Sequence, residues 1–310
     1  RGLGDLYKRQ ANPEYDKLES IEFEAAKSLY FNQNYLGAIS AFDRFLQSYP
    51  GTAFKTETIY LKADAYARTE QPLQALDSYY LIVQDLGFNR HSRVVQRIAE
   101  LELSTENYEK SIPQFEQLEK IAASKKEQVT AWSGLMHAYY KTAKYDKAIE
   151  YGNLIIDKGQ VTLNAKNEAL LLIGKSHLAL GQKSEARNYF EQTVESAKDE
   201  NGAEALYLIA ELLYENSLYQ ESIDRLFELN GNYSMYELWL GKSFILIADN
   251  YLAMGEDFQA KATYQSVIEN SPIDEIVDEA ELKLMVLEKK AGEMSETELD
   301  TLEIEEPENR

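Results

Sequence analysis

The sequence predicts an all-α fold: a right-handed α-α superhelical solenoid of about seven helical hairpins, closed by a C-terminal capping helix. Three observations carry that prediction. Long stretches rich in Ala, Leu, Glu, Lys and Gln, all good helix formers, are interrupted by only six prolines and fifteen glycines in 310 residues. Apolar residues recur at three- and four-residue steps, and strand-type alternation is nowhere sustained. A short phrase also returns at a nearly constant interval, the mark of a repeat array.

The phrase is an aromatic residue, two further residues, Ala or Ser, an aliphatic residue, and an aromatic or apolar residue after two more. It stands as Tyr35-Leu-Gly-Ala38-Ile-Ser-Ala-Phe42, as Tyr108-Glu-Lys-Ser111-Ile-Pro-Gln-Phe115, as Tyr145-Asp-Lys-Ala148-Ile and as Tyr219-Gln-Glu-Ser222-Ile. Weaker copies are centred on Ala75, Ala186 and Ala260. The steps between the seven small residues are 37, 36, 37, 38, 36 and 38. One helical hairpin cannot bury both its faces alone. A small side chain at this register lets neighbouring helices approach closely, bulky residues fill the gap between hairpins, and stacking builds one long core.

The spacing places hairpins near 20–52, 56–90, 92–126, 129–163, 167–200, 203–236 and 238–272 of a single array over 1–292. Asn12 is a candidate cap for a first helix over 13–31 that opens on Pro13. After Pro272 an amphipathic helix over 273–290 presents Ile276, Val277, Ala280, Leu284 and Leu287 on one face, as a cap that closes the open end. Residues 293–310 hold eight Asp or Glu and one Arg. They are poor in aromatics and predict an acidic, disordered tail.

Composition removes several functions. The chain is 44% hydrophobic and 27% charged, as soluble folded chains are, with a formal net charge of −21. That field repels nucleic acid and anionic membranes, because phosphate binding needs clustered Lys and Arg. No apolar run is long enough to span a bilayer. Cysteine is absent, which removes disulfides, thiol catalysis and thiolate metal sites. That fits a reducing compartment, and equally a periplasmic protein that needs no disulfide. The chain begins at Arg1, which reads as a trimmed or processed start.

Chemistry is equally sparse. His91, His137 and His177 are far apart and none has a second ligand at helical spacing, so no metal site is expected. There is no glycine-rich phosphate loop and no Gly-x-Ser-x-Gly turn. Carboxylates are so numerous that no pair stands out. The expectation is no catalytic residue and no cofactor.

Each small residue has an upstream partner sixteen positions earlier. Trp132 is followed by Leu135, Met136 and Tyr139. Leu170 is followed by Ile173, Gly174 and His177. Phe244 is followed by Ile247, Ala248 and Tyr251, with Tyr264 and Pro272 downstream. Over roughly 20–272 this pattern resembles the tetratricopeptide repeat, loosest where Glu102 and Glu22 replace bulky residues. The phrase Ala26-Lys-Ser-Leu-Tyr, with Tyr35, Ala38-Ile, Ala41-Phe and Phe45-Leu-Gln-Ser-Tyr-Pro50-Gly, is similar to envelope tetratricopeptide proteins of Gram-negative bacteria. The final repeat is similar to those of Bacteroidetes.

The resemblance implies a concave groove lined by the first helix of each hairpin. Residues one, five, eight and nine places after the bulky slot face that groove. They are Phe23, Lys27 and Tyr30; Tyr60, Asp64 and Arg68; Gln96 and Glu100; His137, Tyr140 and Lys141; Lys175; and Tyr207, Glu211 and Tyr214. Tyrosine offers large contact area at little entropic cost and is enriched in binding hot spots. A clamp for a C-terminal carboxylate would need Lys, Asn and Arg here, whereas Asp64, Glu100 and Glu211 interrupt the bases.

The implied function is a non-enzymatic scaffold that holds a protein or peptide in a periplasmic or envelope assembly, with the cytoplasm as the other location. An α/α-superhelical enzyme acting on glycan and a structural spacer or oligomer subunit remain as alternatives.

Overall fold

The computed structural model describes residues 15–159 and 161–303, with side chains described over 17–159 and 161–289. The proposed cap at Asn12 and Pro13 lies outside the described residues. Among the described residues there are fifteen α-helices and no strand. The chain divides into two compact units between Gly159 and Gln160. At the junction Gly159 ends one helix, and Thr162 caps the next with its Oγ1 accepting the Ala165 N–H at 3.4 Å.

The N-terminal unit holds four antiparallel hairpins: α1 Tyr15–Phe31 with α2 Tyr35–Ser48, α3 Lys55–Arg68 with α4 Pro72–Tyr80, α5 His91–Ser104 with α6 Tyr108–Ile121, and α7 Lys125–Lys141 with α8 Tyr145–Lys158. The C-terminal unit holds three, α9 Leu163–Ala179 with α10 Lys183–Ser196, α11 Glu200–Glu215 with α12 Tyr219–Asn232, and α13 Glu237–Ala253 with α14 Asp257–Asn270, followed by α15 Asp274–Glu303. Helix α15 runs past the expected end of the cap and through residues 293–303 of the expected disordered tail. The reason is local: no proline interrupts before Pro307, and Glu, Leu, Met, Ala and Lys sustain a helix. Residues 304–310 lie outside the described residues.

The turn inside every hairpin has one geometry. A single residue takes a left-handed backbone: Gln33, Glu70, Glu106, Ala143, Gly181, Ser217 and Gly255, with φ between 56° and 79°. Each lies five positions before the small residue of its repeat. In the first turn Asn34 N–H donates to Leu29 C=O and Gln33 N–H to Tyr30 C=O, both at 2.9 Å. The same two bonds recur in the other six, so every first helix ends in a Schellman motif that satisfies its orphan carbonyls.

The seven small residues sit where close approach demands them: Ala38, Ala75, Ser111, Ala186, Ser222 and Ala260 are 0% exposed and Ala148 1%. Around them Phe42, Tyr79, Phe115, Phe190, Leu226 and Tyr264 on the second helices fill the core. Each such burial contributes roughly 2–3 kcal/mol against exposure. A buried polar ladder crosses the C-terminal unit. Ser222 Oγ donates to Ala210 C=O at 2.8 Å, and Asn250 Nδ2 donates to Ser222 Oγ at 3.1 Å, joining α12 to α11 and α13. Glu102, in the slot of a bulky residue, is buried too and accepts a hydrogen bond from Tyr80 Oη at 2.7 Å.

Candidate functional site

Within each unit, first helices of neighbouring hairpins pack on one another: α1 on α3, α5 on α7, α9 on α11, α11 on α13, and α13 on α15. Second helices show no comparable packing. Bringing one row together and splaying the other puts the first helices on the inner side of each stack. The candidate surface is therefore the side chains that α1, α3, α5 and α7 present in one unit, and α9, α11, α13 and α15 in the other.

In the N-terminal unit the inner row carries a polar network centred on Asp64, which is 4% exposed. Tyr30 Oη on α1 donates to Asp64 Oδ2 at 2.5 Å, Arg68 Nε donates to the same oxygen, and Arg97 Nη2 on α5 reaches Oδ1 at 3.5 Å. Burial opposes the Asp64 charge, but the Tyr30 and Arg68 hydrogen bonds and both guanidinium charges outweigh it and hold the carboxyl below its ordinary range. Burial, and then the neighbouring carboxylate, push the Tyr30 phenol up to about 12. Gln96 and Arg97 both donate to Glu100, at 2.5 and 3.2 Å. Lys27 bridges Glu24 and Glu57 at 3.3 and 3.5 Å.

In the C-terminal unit the inner row forms a cavity of about 360 Å³ between α11, α13 and α15. Tyr207, Glu211 and Tyr214 line it together with Lys242, Asp249, Glu279 and Lys283. Lys283 Nζ spans both Asp249 oxygens at 2.9 and 2.7 Å, and Tyr264 Oη donates to Asp249 Oδ1 at 2.5 Å. Lys242 lies over the Trp239 ring at 4.9 Å and over the Tyr207 ring at 6.0 Å. Burial first, then the Glu215 charge, raises the Glu211 carboxyl, against the opposing pull of Lys242 and of the neighbouring Tyr207 hydroxyl. Burial and nearby carboxylates raise the Tyr207 phenol, and burial with Asp249 raises that of Tyr214.

Fifteen groove residues were expected from sequence, and the structure places them unequally. Phe23 is core: at 1% exposure it stacks on Phe54 at 4.5 Å and packs against Phe45 at 5.6 Å, because the segment between α2 and α3 folds over it. Tyr60 is also core, wedged against Tyr79 and Phe88 under the Arg90 guanidinium, since the irregular chain after α4 returns across α3. Asp64 and Gln96 are buried in the network above, so they organise the wall rather than present themselves to a partner. Arg68 and Lys141 are exposed, and Lys27, Tyr30, Glu100, His137, Tyr140, Lys175, Tyr207, Glu211 and Tyr214 are half-buried. Lys175 is ion-paired to Glu204 across α9 and α11 at 2.5 Å.

Tyr30, Tyr140 and Tyr214 share one arrangement. Each packs against the tyrosine that opens the second helix, Tyr35, Tyr145 and Tyr219, at 5.7, 5.8 and 5.7 Å. His177 stacks on Tyr189 at 5.3 Å and is hydrogen-bonded to Gln182.

Sequence reasoning missed Arg97, Lys242, Asp249, Glu279 and Lys283. Asp249 was findable, because it lies five places after Phe244, the offset that gives Lys175 and Glu211. Glu204 and Lys242 both stand two places before a bulky slot, an offset that also reaches the inner side.

Two family models, each described as tetratricopeptide repeat, match the chain, one over residues 171–229 and the other over 22–52 and 238–272. Among solved structures, a tetratricopeptide repeat protein from Parabacteroides merdae is 14% identical, with a TM-score of 0.56, covering 87% of this chain and 98% of that one. The C-terminal part of a TPR repeat-containing protein from Cytophaga hutchinsonii is 14% identical, with a TM-score of 0.62, covering 83% and 98%. BtubC from P. vanneervenii is 13% identical, with a TM-score of 0.51, covering 64% and 87%. At such identities the likeness is one of fold. No curated protein matches the sequence. The chain thus carries tetratricopeptide repeats over residues 22–52, 171–229 and 238–272. The family of these repeats is generally non-catalytic. Among the described residues no helix is long and apolar enough to cross a membrane.

Proposed function

We propose that this protein is a non-enzymatic scaffold that holds a protein or peptide against the inner helices of its hairpins. The observation that carries the reading is the cavity of about 360 Å³ in the C-terminal unit, where Tyr207, Glu211 and Tyr214 converge with charged residues from α13 and α15. Half-buried tyrosines beside polar groups are the composition of a protein-binding hot spot. Tyr140 and Lys141 offer a further contact in the N-terminal unit. The envelope setting rests on the resemblance of residues 26–51 to envelope proteins, and fractionation of the full-length protein in its own cells tests it.

The binding test compares proteins co-purified with the parent chain and with a Tyr207→Ala/Tyr214→Ala variant. Phe258→Ala serves as the control, since Phe258 is 84% exposed on the second helix α14. Specific partners should be lost with the tyrosine pair and kept with the control. Retention of every partner by the tyrosine variant refutes the inner-row reading.

A second reading, a structural subunit, is favoured by one observation. Leu282, Met285 and Val286 form an apolar stripe on α15 and are 57–60% exposed. Light scattering tests it: a mass above one chain that falls on Met285→Glu supports it, and a monomer of the parent refutes it.

A further inference from the structure

We propose that the cavity of the C-terminal unit receives a cationic side chain, an arginine or lysine, presented by a partner polypeptide. The proposal rests on the scaffold reading and adds the chemistry that the site selects. Four carboxylates, Glu211, Glu215, Asp249 and Glu279, face two ammonium groups, Lys242 and Lys283, in the cavity wall. Both ammonium groups are already engaged. Lys283 is held between the two oxygens of Asp249, and Lys242 is drawn onto the faces of Trp239 and Tyr207. Glu215 is ion-paired outside the cavity with Lys183 at 2.8 Å.

Glu211 lies beside Tyr207, one helical turn along α11, in the cavity wall. Among the described residues no lysine or arginine nitrogen comes within ion-pair distance of it. A half-buried carboxylate with no ion-pair partner is unfavourable, and burial with the Glu215 charge raises the Glu211 titration in spite of the more distant Lys242. An incoming guanidinium or ammonium supplies the missing charge where solvent screening is reduced.

The rest of the wall fits the remainder of such a side chain. Ile245 and Leu246 give an apolar surface for its methylene stem. The half-buried ring of Tyr214 offers a face on which a planar guanidinium stacks. An anionic ligand would instead meet Glu211, Glu215 and Glu279 with both lysines already committed. The same field excludes an acidic peptide.

The test selects random heptapeptides displayed on phage against the full chain, and in parallel against Glu211→Gln and Tyr207→Ala/Tyr214→Ala. A chain of net charge −21 attracts any basic peptide over long range. Dependence on one substitution is therefore the discriminating readout. The expected result is Arg or Lys enriched at one peptide position, with the enrichment lost on Glu211→Gln. A selected peptide whose arginine is replaced by citrulline should then bind the parent about tenfold more weakly by fluorescence anisotropy. It should bind Glu211→Gln no more weakly than the arginine peptide does.

Enriched peptides that lack a basic position, yet depend on Tyr207 and Tyr214, overturn the cation assignment and leave the scaffold reading standing. Basic peptides bound equally by parent and Glu211→Gln overturn the assignment as well. Peptides indifferent to both variants, or no enrichment at all, overturn both.

Discussion

Replacing Gly174 by Ala puts the packing logic of the repeat at risk with one carbon atom. A Cβ at Gly174 would lie 2.5 Å and 2.7 Å from two ring carbons of Phe190 and 3.3 Å from the Ala186 carbonyl oxygen. Phe190 and Ala186 are both 0% exposed, so neither has free space to move into. Ordinary carbon contact needs roughly 3.5–4.0 Å, and the ring must therefore shift by about 1 Å against a filled core. A clash with a fully buried ring belongs to the upper part of the overpacking range, about 2–3 kcal/mol, while the better helix propensity of Ala returns about 1 kcal/mol. The net expectation is a loss of about 1–2 kcal/mol. The internal control lies in the same unit, where a Cβ added to Gly231 in α12 meets nothing within 4 Å. Gly231→Ala should stabilise by about 0.5–1 kcal/mol. Urea unfolding followed by far-ultraviolet circular dichroism separates the two, with the midpoint falling by about 0.5–1 M for Gly174→Ala and rising for Gly231→Ala. A Gly174→Ala protein as stable as the parent refutes the claim that small residues set the distance between helices.

Three further substitutions probe other parts of the account. Glu106 occupies the left-handed position of its turn with φ 62°, a backbone that costs an L-residue roughly 1–2 kcal/mol. Glu106→Gly should raise stability by about 0.5 kcal/mol after the entropy of the unfolded glycine is counted, as thermal unfolding will show. Asp64→Asn removes the charge that neutralises Arg68 and Arg97 and should destabilise by about 2 kcal/mol at pH 7. Because folding lowers the Asp64 titration, its contribution is fully present above the ordinary carboxylate value and is lost as pH falls below that value, through the lowered folded one. Denaturation of parent and variant at pH 7 and at pH 3 should show the difference shrinking in acid. Glu211 has the opposite sign: folding raises its titration, so its ionised form weakens the fold once pH exceeds the unfolded value. Glu211→Gln, which keeps the shape of the side chain without its charge, should stabilise by about 0.5–1 kcal/mol at pH 7 and leave stability unchanged at pH 3.

What the sequence revealed depended on whether a feature repeats as a residue type or only as a geometry. The small residues from Ala38 to Ala260 recur as types, and burial of all seven follows from the hairpin register they announce. The turns recur only as geometry. Glycine marks just Gly181 and Gly255 of seven left-handed positions, while Gln33, Glu70, Glu106, Ala143 and Ser217 are held there by the Schellman bonds. No local turn signal reveals them. In residues 293–303 acidity points to disorder while the composition favours a helix, and α15 continues to Glu303. On the inner row, offset alone brought Tyr207, Glu211 and Tyr214 to one cavity. Offset could not tell that connecting segments cover Phe23 and Tyr60. Nor could it find Lys283, which lies beyond the last repeat and arrives only through the packing of α15 on α13.

Hydrogen exchange of the full chain, with and without a saturating arginine-bearing peptide selected on it, tests most directly that the inner helices hold the partner. Protection should grow in α11, α13 and α15, where Tyr207, Asp249 and Lys283 meet, and stay unchanged in the outer helices α12 and α14. Protection gained on α12 and α14, with α11 and α13 unaltered, would contradict the account.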